Sequence, residues 1–424
     1  MSTTPPTKEQ SIIYQVSMYS SLVANQTGPG LEAKLYAAIQ EALKKDEHHI
    51  GHWSIAWGPV VIQHPEDSYA INSMYVAEHK DFLGEKTYVV GVAGTNPSSL
   101  FDWLVEDALV SVQIPWVYAL VSAPHAKIAL GTGIGLAILQ SAKPGSGIPG
   151  AGTSLLEFLK GIEFKLATHL VVSGHSLGGA LSPTLALWLH DVRVLWDPFH
   201  LVKLSTMPTA GPTAGNSHFA AYSDRELSVT RFANAIDVVP HAWQANDLAK
   251  IPTLYVPDIE PDKLIGDLVA FGEKISAGGD YTQLVGDTGW FPFDVNESLI
   301  DPSRPAFVNF FVQLAWQHTV AYLRYFKVVS PPLEVWAQEF QAAALEAAPA
   351  VAAGLAAGAA AQEGTKPVAG QPVVIPSGSD PRAREVAARV VEELRRHATP
   401  EQQQIAIPID PQAVVDAATG VTQS

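Results

Sequence analysis

The 424-residue chain contains no cysteine. That excludes disulfides, thiolate metal sites and a cysteine nucleophile, so the fold must hold by packing and hydrogen bonding alone. Charge is sparse as well: Asp, Glu, Lys and Arg make up 16% of residues against 47% apolar, the balance of a globular chain with some apolar surface. Cations are the scarcer sign, 26 Lys and Arg against 42 Asp and Glu, for a formal net charge of -16. Nucleic-acid binding rests on clustered Lys and Arg that neutralise phosphates, so DNA and RNA are not expected partners. Long hydrophobic runs are missing too. The longest, Ile128 to Leu139, falls far short of the roughly 20 residues that a spanning helix needs, and Ala343 to Ala361 is mostly Ala interrupted by Glu and Pro. Met1 to Ser20 has no basic segment leading into an apolar core and a small-residue cleavage site. Neither a secretory signal nor a transmembrane segment is therefore expected, which leaves location open between the cytoplasm and signal-independent export.

What is present has a β-α-β rhythm. Glu9 to Val23 and Leu31 to Leu43 carry apolar residues at helical spacing, while Tyr69 to His79 and Lys86 to Ala93 read as strands, the second running into the turn residues Gly94-Thr95-Asn96-Pro97. Ile114 to Ala151 is apolar and glycine-rich but fits neither period. Beyond it come a helix over Ser154 to Leu166, a short strand His169 to Ser173, a helix Ala180 to Val194 and a strand His200 to Ser205. This order predicts an α/β fold with a mostly parallel sheet and crossover helices. A strand Ser228 to Ala233, a helix Pro261 to Ile275, a strand around Tyr281 and a helix or helix pair Ala306 to Tyr325 complete the pattern. At Ser330-Pro331-Pro332 the composition shifts to Ala, Pro, Gly, Glu and Gln. We therefore read one catalytic domain over 1–329 and an Ala/Pro-rich tail over 330–424. Within the tail, Asp380-Pro381 starts a helix over 381–397 with an apolar stripe of Val386, Val390, Val391 and Leu394.

The chemistry centres on Gly174-His175-Ser176-Leu177-Gly178, which follows an apolar strand and precedes a helix. A serine hydroxyl is a weak nucleophile at neutral pH; it needs a base in hydrogen-bond reach, an acid to orient that base, and donors for the developing oxyanion. In the chain order Ser, acid, His used by α/β-hydrolases, the base is one of His241, His318 and His397. His397 falls in the tail and His241 lies only four residues past the best acid, leaving His318. Asp237 is that acid, because it follows a strand and is flanked by apolar residues. The N–H of Leu177 is the first expected oxyanion donor. Thr95 is the second, unless it merely caps the Asn96-Pro97 turn.

These residues resemble the class 3 (fungal-type triacylglycerol) lipase family, over roughly Glu9 to Tyr325. Gly174 to Gly179 is similar to the family's Gly-His-Ser-Leu-Gly-Gly elbow, Val90 to Asp107 to its oxyanion strand and following helix, Gly211 to Asn216 to its Gly-Gln-Pro-Arg-Val-Gly-Asn segment, and Asn234 to Pro240 to its Asp-x-Val-Pro block. The resemblance implies the α/β-hydrolase fold, a nucleophile at Ser176, an acid at Asp237, a base at His318 and oxyanion donors at Thr95 and Leu177, the same set reached from the residues. It also implies a lid after the oxyanion residue. Ser98 to Val110, with Leu100, Phe101, Trp103 and Leu104, can form an amphipathic lid helix or an ordinary packed one. Departures from the family are Ala93 where it often has Arg, Thr213 near another usual Arg, and the long apolar region Ile114 to Ala151.

The expected activity is hydrolysis of lipid acyl esters through an acyl-enzyme, with transient contact to a lipid interface. Phospholipase A1, soluble carboxylesterase and feruloyl-type esterase are the alternatives within hydrolases, and a non-catalytic lipid-binding scaffold is the alternative outside them. No cofactor or metal enters this chemistry. His48, His49 and His52 lack zinc-motif partners, and Gly145 to Gly150 lacks the strand and uninterrupted helix of a dinucleotide site.

Overall fold

The computed structural model describes residues 4–63, 70–94, 110–286 and 289–363. Among the described residues the central sheet has eight strands in the order β1-β2-β3-β6-β7-β9-β10, with β8 paired to β7. The strands are β1 (Ser54–Gln63), β2 (Ala70–Phe82), β3 (Glu85–Val92), β6 (Thr168–His175), β7 (Val202–Thr209), β8 (Ser228–Val229), β9 (Phe232–Asn234) and β10 (Gly289–Phe291); β4 (Gln113–Pro115) and β5 (Lys127–Ala129) form a separate hairpin. From β3 to β10 every pairing is parallel, whereas β1, β2 and β3 pair antiparallel at one edge. Every residue of β6, at the middle of the sheet, is buried, as a parallel strand covered on both faces must be.

Alternation along the strands splits the interior into two cores. Val89, Val171 and Met207 face one side, where α1 (Lys8–Met18), α2 (Leu31–Lys45) and helices from the C-terminal half pack. Val90, Val172 and Leu204 face the other, under α3 (Leu130–Ser141), α4 (Leu155–Lys160), α5 (Leu177–Asp191) and α6 (Ser217–Glu226). The N-terminus of α1 is set by a capping box between Thr7 and Gln10, that of α4 by one between Ser154 and Glu157, and that of α6 by the Asn216 side chain. After α6 come α7 (Lys263–Ser276), α8 (Ala306–His318), α9 (Val320–Tyr325) and α10 (Pro331–Glu363).

Several local expectations shift. The aperiodic stretch 114–151 resolves into the β4–β5 hairpin and α3, elements too short or too uniformly apolar to show a period. Tyr281 makes an isolated bridge to Asn216, and the edge strand lies further on, at β10. The proline pair at the compositional boundary opens a helix, a position where proline is tolerated because first-turn N–H groups have no intrahelical partner. In α10 the side chains of Leu333, Trp336, Ala337, Phe340, Ala344 and Ala348 recur on one face and join the same core as α1 and α8. The lid candidates Leu100, Phe101, Trp103 and Leu104, the donor Thr95 and the helix over 381–397 lie outside the described residues. Among the described residues no helix is long and apolar enough to cross a membrane.

At the end of the sheet where β6 begins, His169 is buried with Nε2 2.7 Å from the Ser205 hydroxyl. Burial, with a smaller push from Lys203, lowers its pKa to about 4; the Glu85 carboxylate at 3.7 Å is too solvated to reverse this. Folding therefore favours the neutral ring. The stability this contributes is intact above the unfolded value near 6.5 and is lost as pH falls toward 4. Urea titrations at pH 7 and pH 4.5 should show a loss that His169→Gln reduces by about 1–3 kcal/mol. Equal pH slopes for the two proteins would contradict the assignment.

Candidate active site

β6 ends in a turn that the sequence makes unusually tight. Ser176 has φ 61° and ψ -126°, a left-handed strained conformation for a residue with a side chain. It is fixed by Ser176 N–H donating to the Thr209 carbonyl at 3.1 Å and Gly179 N–H donating to the Ser176 carbonyl at 2.8 Å. The flanking glycines are demanded by backbone proximity: a Cβ on Gly174 would lie 2.4 Å from the Gly178 carbonyl oxygen, and one on Gly178 would lie 2.3 Å from that of Val92. The chain then enters α5 at Leu177, whose N–H, as a first-turn donor, has no intrahelical acceptor and sits at the positive end of the helix dipole. Gly94, at the end of β3, lies against the elbow, so close that a Cβ on it would be 3.0 Å from Ser176 Cβ.

The other two expected residues meet at the same end of the sheet. Asp237, three residues past β9, is fully buried, and its carboxylate accepts from His318 Nδ1 at 2.9 and 3.1 Å. Asp237 Oδ1 also accepts from Val239 N–H at 3.1 Å, and Oδ2 accepts from the Tyr322 hydroxyl at 3.0 Å. Burial and the adjacent Asp237 carboxylate push the Tyr322 phenol well above its usual value, so it remains a donor. His318 closes α8; its Nδ1 is committed to Asp237, while its Nε2 is buried without a hydrogen-bond partner. The histidine ring of the elbow, His175, lies 4.9 Å from that of His318, which places His318 beside the turn that carries Ser176. His241, set aside on sequence grounds, has its Nδ1 2.7 Å from the backbone carbonyl of Asp237.

A family profile for lipase (class 3) matches residues 122–246, a span that contains Ser176 and Asp237. The crystal structure of M37 lipase is similar to the chain at 32% identity with a TM-score of 0.64, over 76% of this chain and 94% of that one. The chain belongs to the class 3 lipase family. It is thus an α/β-hydrolase of the lipase/esterase type. Rhizomucor miehei triacylglyceride lipase is more distant, with 21% identity and a TM-score of 0.36 over 56% of this chain and 76% of that one. No curated protein sequence matches the chain significantly.

Within this class 3 lipase, three contributors had escaped the sequence reading. Tyr322 follows His318 by four residues, but the chain bends at Thr319, so helical spacing does not reveal its contact with Asp237. Trp336 and Phe340, beyond the compositional boundary, lie 6.4 Å from His175 and 6.2 Å from His318 between ring centroids. The only hint was their being aromatic in an alanine-rich stretch. Tyr322→Phe should cost about 1–3 kcal/mol in urea denaturation, because Asp237 loses a donor and the buried Asn234 N–H, 2.9 Å from the hydroxyl, loses its acceptor. The same variant should lower kcat with KM little changed.

Proposed function

We propose that the protein is a serine hydrolase that cleaves acyl esters of lipids through a covalent acyl-enzyme, with Ser176 as nucleophile, His318 as base and Asp237 as its orienting acid. The observation that carries this is the state of His318. Its Nδ1 is held by a buried carboxylate, and its Nε2, beside the elbow of Ser176, is left without a partner. A base needs that division of labour between its two ring nitrogens.

Ser176 Oγ attacks the acyl carbonyl and gives its proton to His318 Nε2. The tetrahedral oxyanion is met by the N–H of Leu177, with Thr95 as the second donor. Gly94 packing against Ser176 supports this second assignment, since Thr95 is the next residue. The intermediate collapses, the alcohol leaves with the proton from His318, and a water, deprotonated by the same nitrogen, releases the fatty acid. Asp237 holds the ring in the Nδ1–H tautomer and stabilises the imidazolium that forms transiently.

A lipid substrate is supported by membership of the class 3 lipases and by the similarity to M37 lipase. The apolar stretch Ser98 to Val110, a candidate lid in the sequence, agrees with it. Hydrolysis rates for p-nitrophenyl esters of increasing chain length and for emulsified triacylglycerol test the substrate. The expected result is a preference for long chains and a rise in rate once substrate exceeds its solubility. A short-chain preference with no rise would instead make the protein a soluble esterase, and preferential release of fatty acid from phospholipid would make it a phospholipase.

A further inference from the structure

A helix ends with four carbonyls that have no intrahelical donor. In α8 these belong to Ala315, Trp316, Gln317 and His318, and each finds a specific partner. The Thr319 hydroxyl donates to Ala315 at 2.6 Å, and Thr319 N–H donates to Trp316 at 3.3 Å. The Asn234 amide donates to Gln317 at 3.2 Å, and His175 Nε2 donates to His318 at 2.7 Å. The last two donors are not arbitrary neighbours. Asn234 opens the loop that carries Asp237, and His175 is joined by one peptide bond to Ser176. The backbone of the base is thus pinned to the acid loop and to the nucleophile turn.

The His175 ring is prepared for this contact. An Nε2–H donor leaves Nδ1 bare, and Nδ1 lies 3.1 Å from the Thr209 hydroxyl, whose one proton has two acceptors in reach, this nitrogen and the Gly174 carbonyl, also at 3.1 Å. Burial above all, and the neighbouring His318, hold His175 well below the usual histidine range, outweighing the opposing effect of the His318 carbonyl. A neutral ring also avoids placing a second cation beside His318 when that residue takes the proton from serine.

The geometry points to His175 as a positioning residue: by its Nε2–H bond to the His318 carbonyl it keeps the base in register with the nucleophile next to it in sequence. This rests on the reading of Ser176, His318 and Asp237 as the triad. The role differs from packing, because it depends on one donor at one position on the ring.

Two variants separate the possibilities. In His175→Gln the amide nitrogen reaches the place of Nε2 and keeps the bond to His318; in His175→Asn it reaches only the place of Nδ1. Since displacement of a reacting group by about 1 Å can cost of order a hundredfold, kcat should fall about 30- to 100-fold in His175→Asn, stay within about threefold in His175→Gln, and leave KM little changed in both. Equal losses in the two variants, or no loss in His175→Asn, would overturn the proposal. A second measurement does not depend on how these variants fold. In the Ser176→Ala protein, imidazole NMR should show His175 protonated at Nε2, with a slowly exchanging proton and no titration from roughly pH 5 to 8. Titration in that range, or a proton on Nδ1, would equally overturn it. Failure of the triad reading itself appears elsewhere, as wild-type protein without esterase activity.

Discussion

Ser176→Ala is expected to lower kcat by about a million-fold, to the level that oxyanion donors and substrate binding alone can sustain. Ser176 precedes α5 without a side-chain capping hydrogen bond, so the alanine variant should keep its urea midpoint while losing its activity. Glycine at the same position sharpens the test. The backbone at φ 61° and ψ -126° is strained for serine but open to glycine, so Ser176→Gly should be inactive yet more stable than Ser176→Ala by about 1 kcal/mol. An inactive variant gaining stability is the outcome expected where strain serves catalysis, and equal stabilities would show that the turn imposes none.

Asp237→Asn is expected to cost about ten-thousandfold in kcat, because an amide cannot enforce the Nδ1–H tautomer of His318. Every partner of the Asp237 carboxylate is a donor: His318 Nδ1, the Val239 N–H and the Tyr322 hydroxyl. An asparagine amide would turn an NH2 group toward at least one of them in a fully buried site, at a cost of about 1–3 kcal/mol in stability. Both losses should appear in one protein, measured as steady-state rate and denaturation midpoint. A variant that kept wild-type rate would show that His318 is oriented by something other than Asp237.

The sequence made these residues readable because their signals are local. A glycine on either side of Ser176, an apolar strand before it and a helix after it all lie within a few residues of one another, and Asp237 and His318 follow in the chain order that α/β-hydrolases use. The parallel centre of the sheet was legible for the same reason: β6 and β7 are short strands, each followed by a helix. What escaped was either too short or too distant. The β4–β5 hairpin has three residues in each strand, fewer than an alternation needs to show itself. The bonds of His175 to His318, Asn234 to Gln317 and Tyr322 to Asp237 join residues 143, 83 and 85 positions apart, and no local period encodes them. The start of α10 was not legible because Pro331 and Pro332 punctuate a sequence whether they end one element or begin another. Its Leu333, Trp336, Ala337 and Phe340 carry the helical period, and they lie in the core beside α8.

The central claim is that Ser176 is the nucleophile, and covalent labelling of the wild-type protein tests it most directly. A fluorophosphonate should react with one serine, and mass analysis of the digested protein should place the adduct on the peptide containing Gly174 to Gly179. Labelling should vanish in Ser176→Ala. No adduct on the wild-type protein, or an adduct on another serine that persists in Ser176→Ala, would contradict the account.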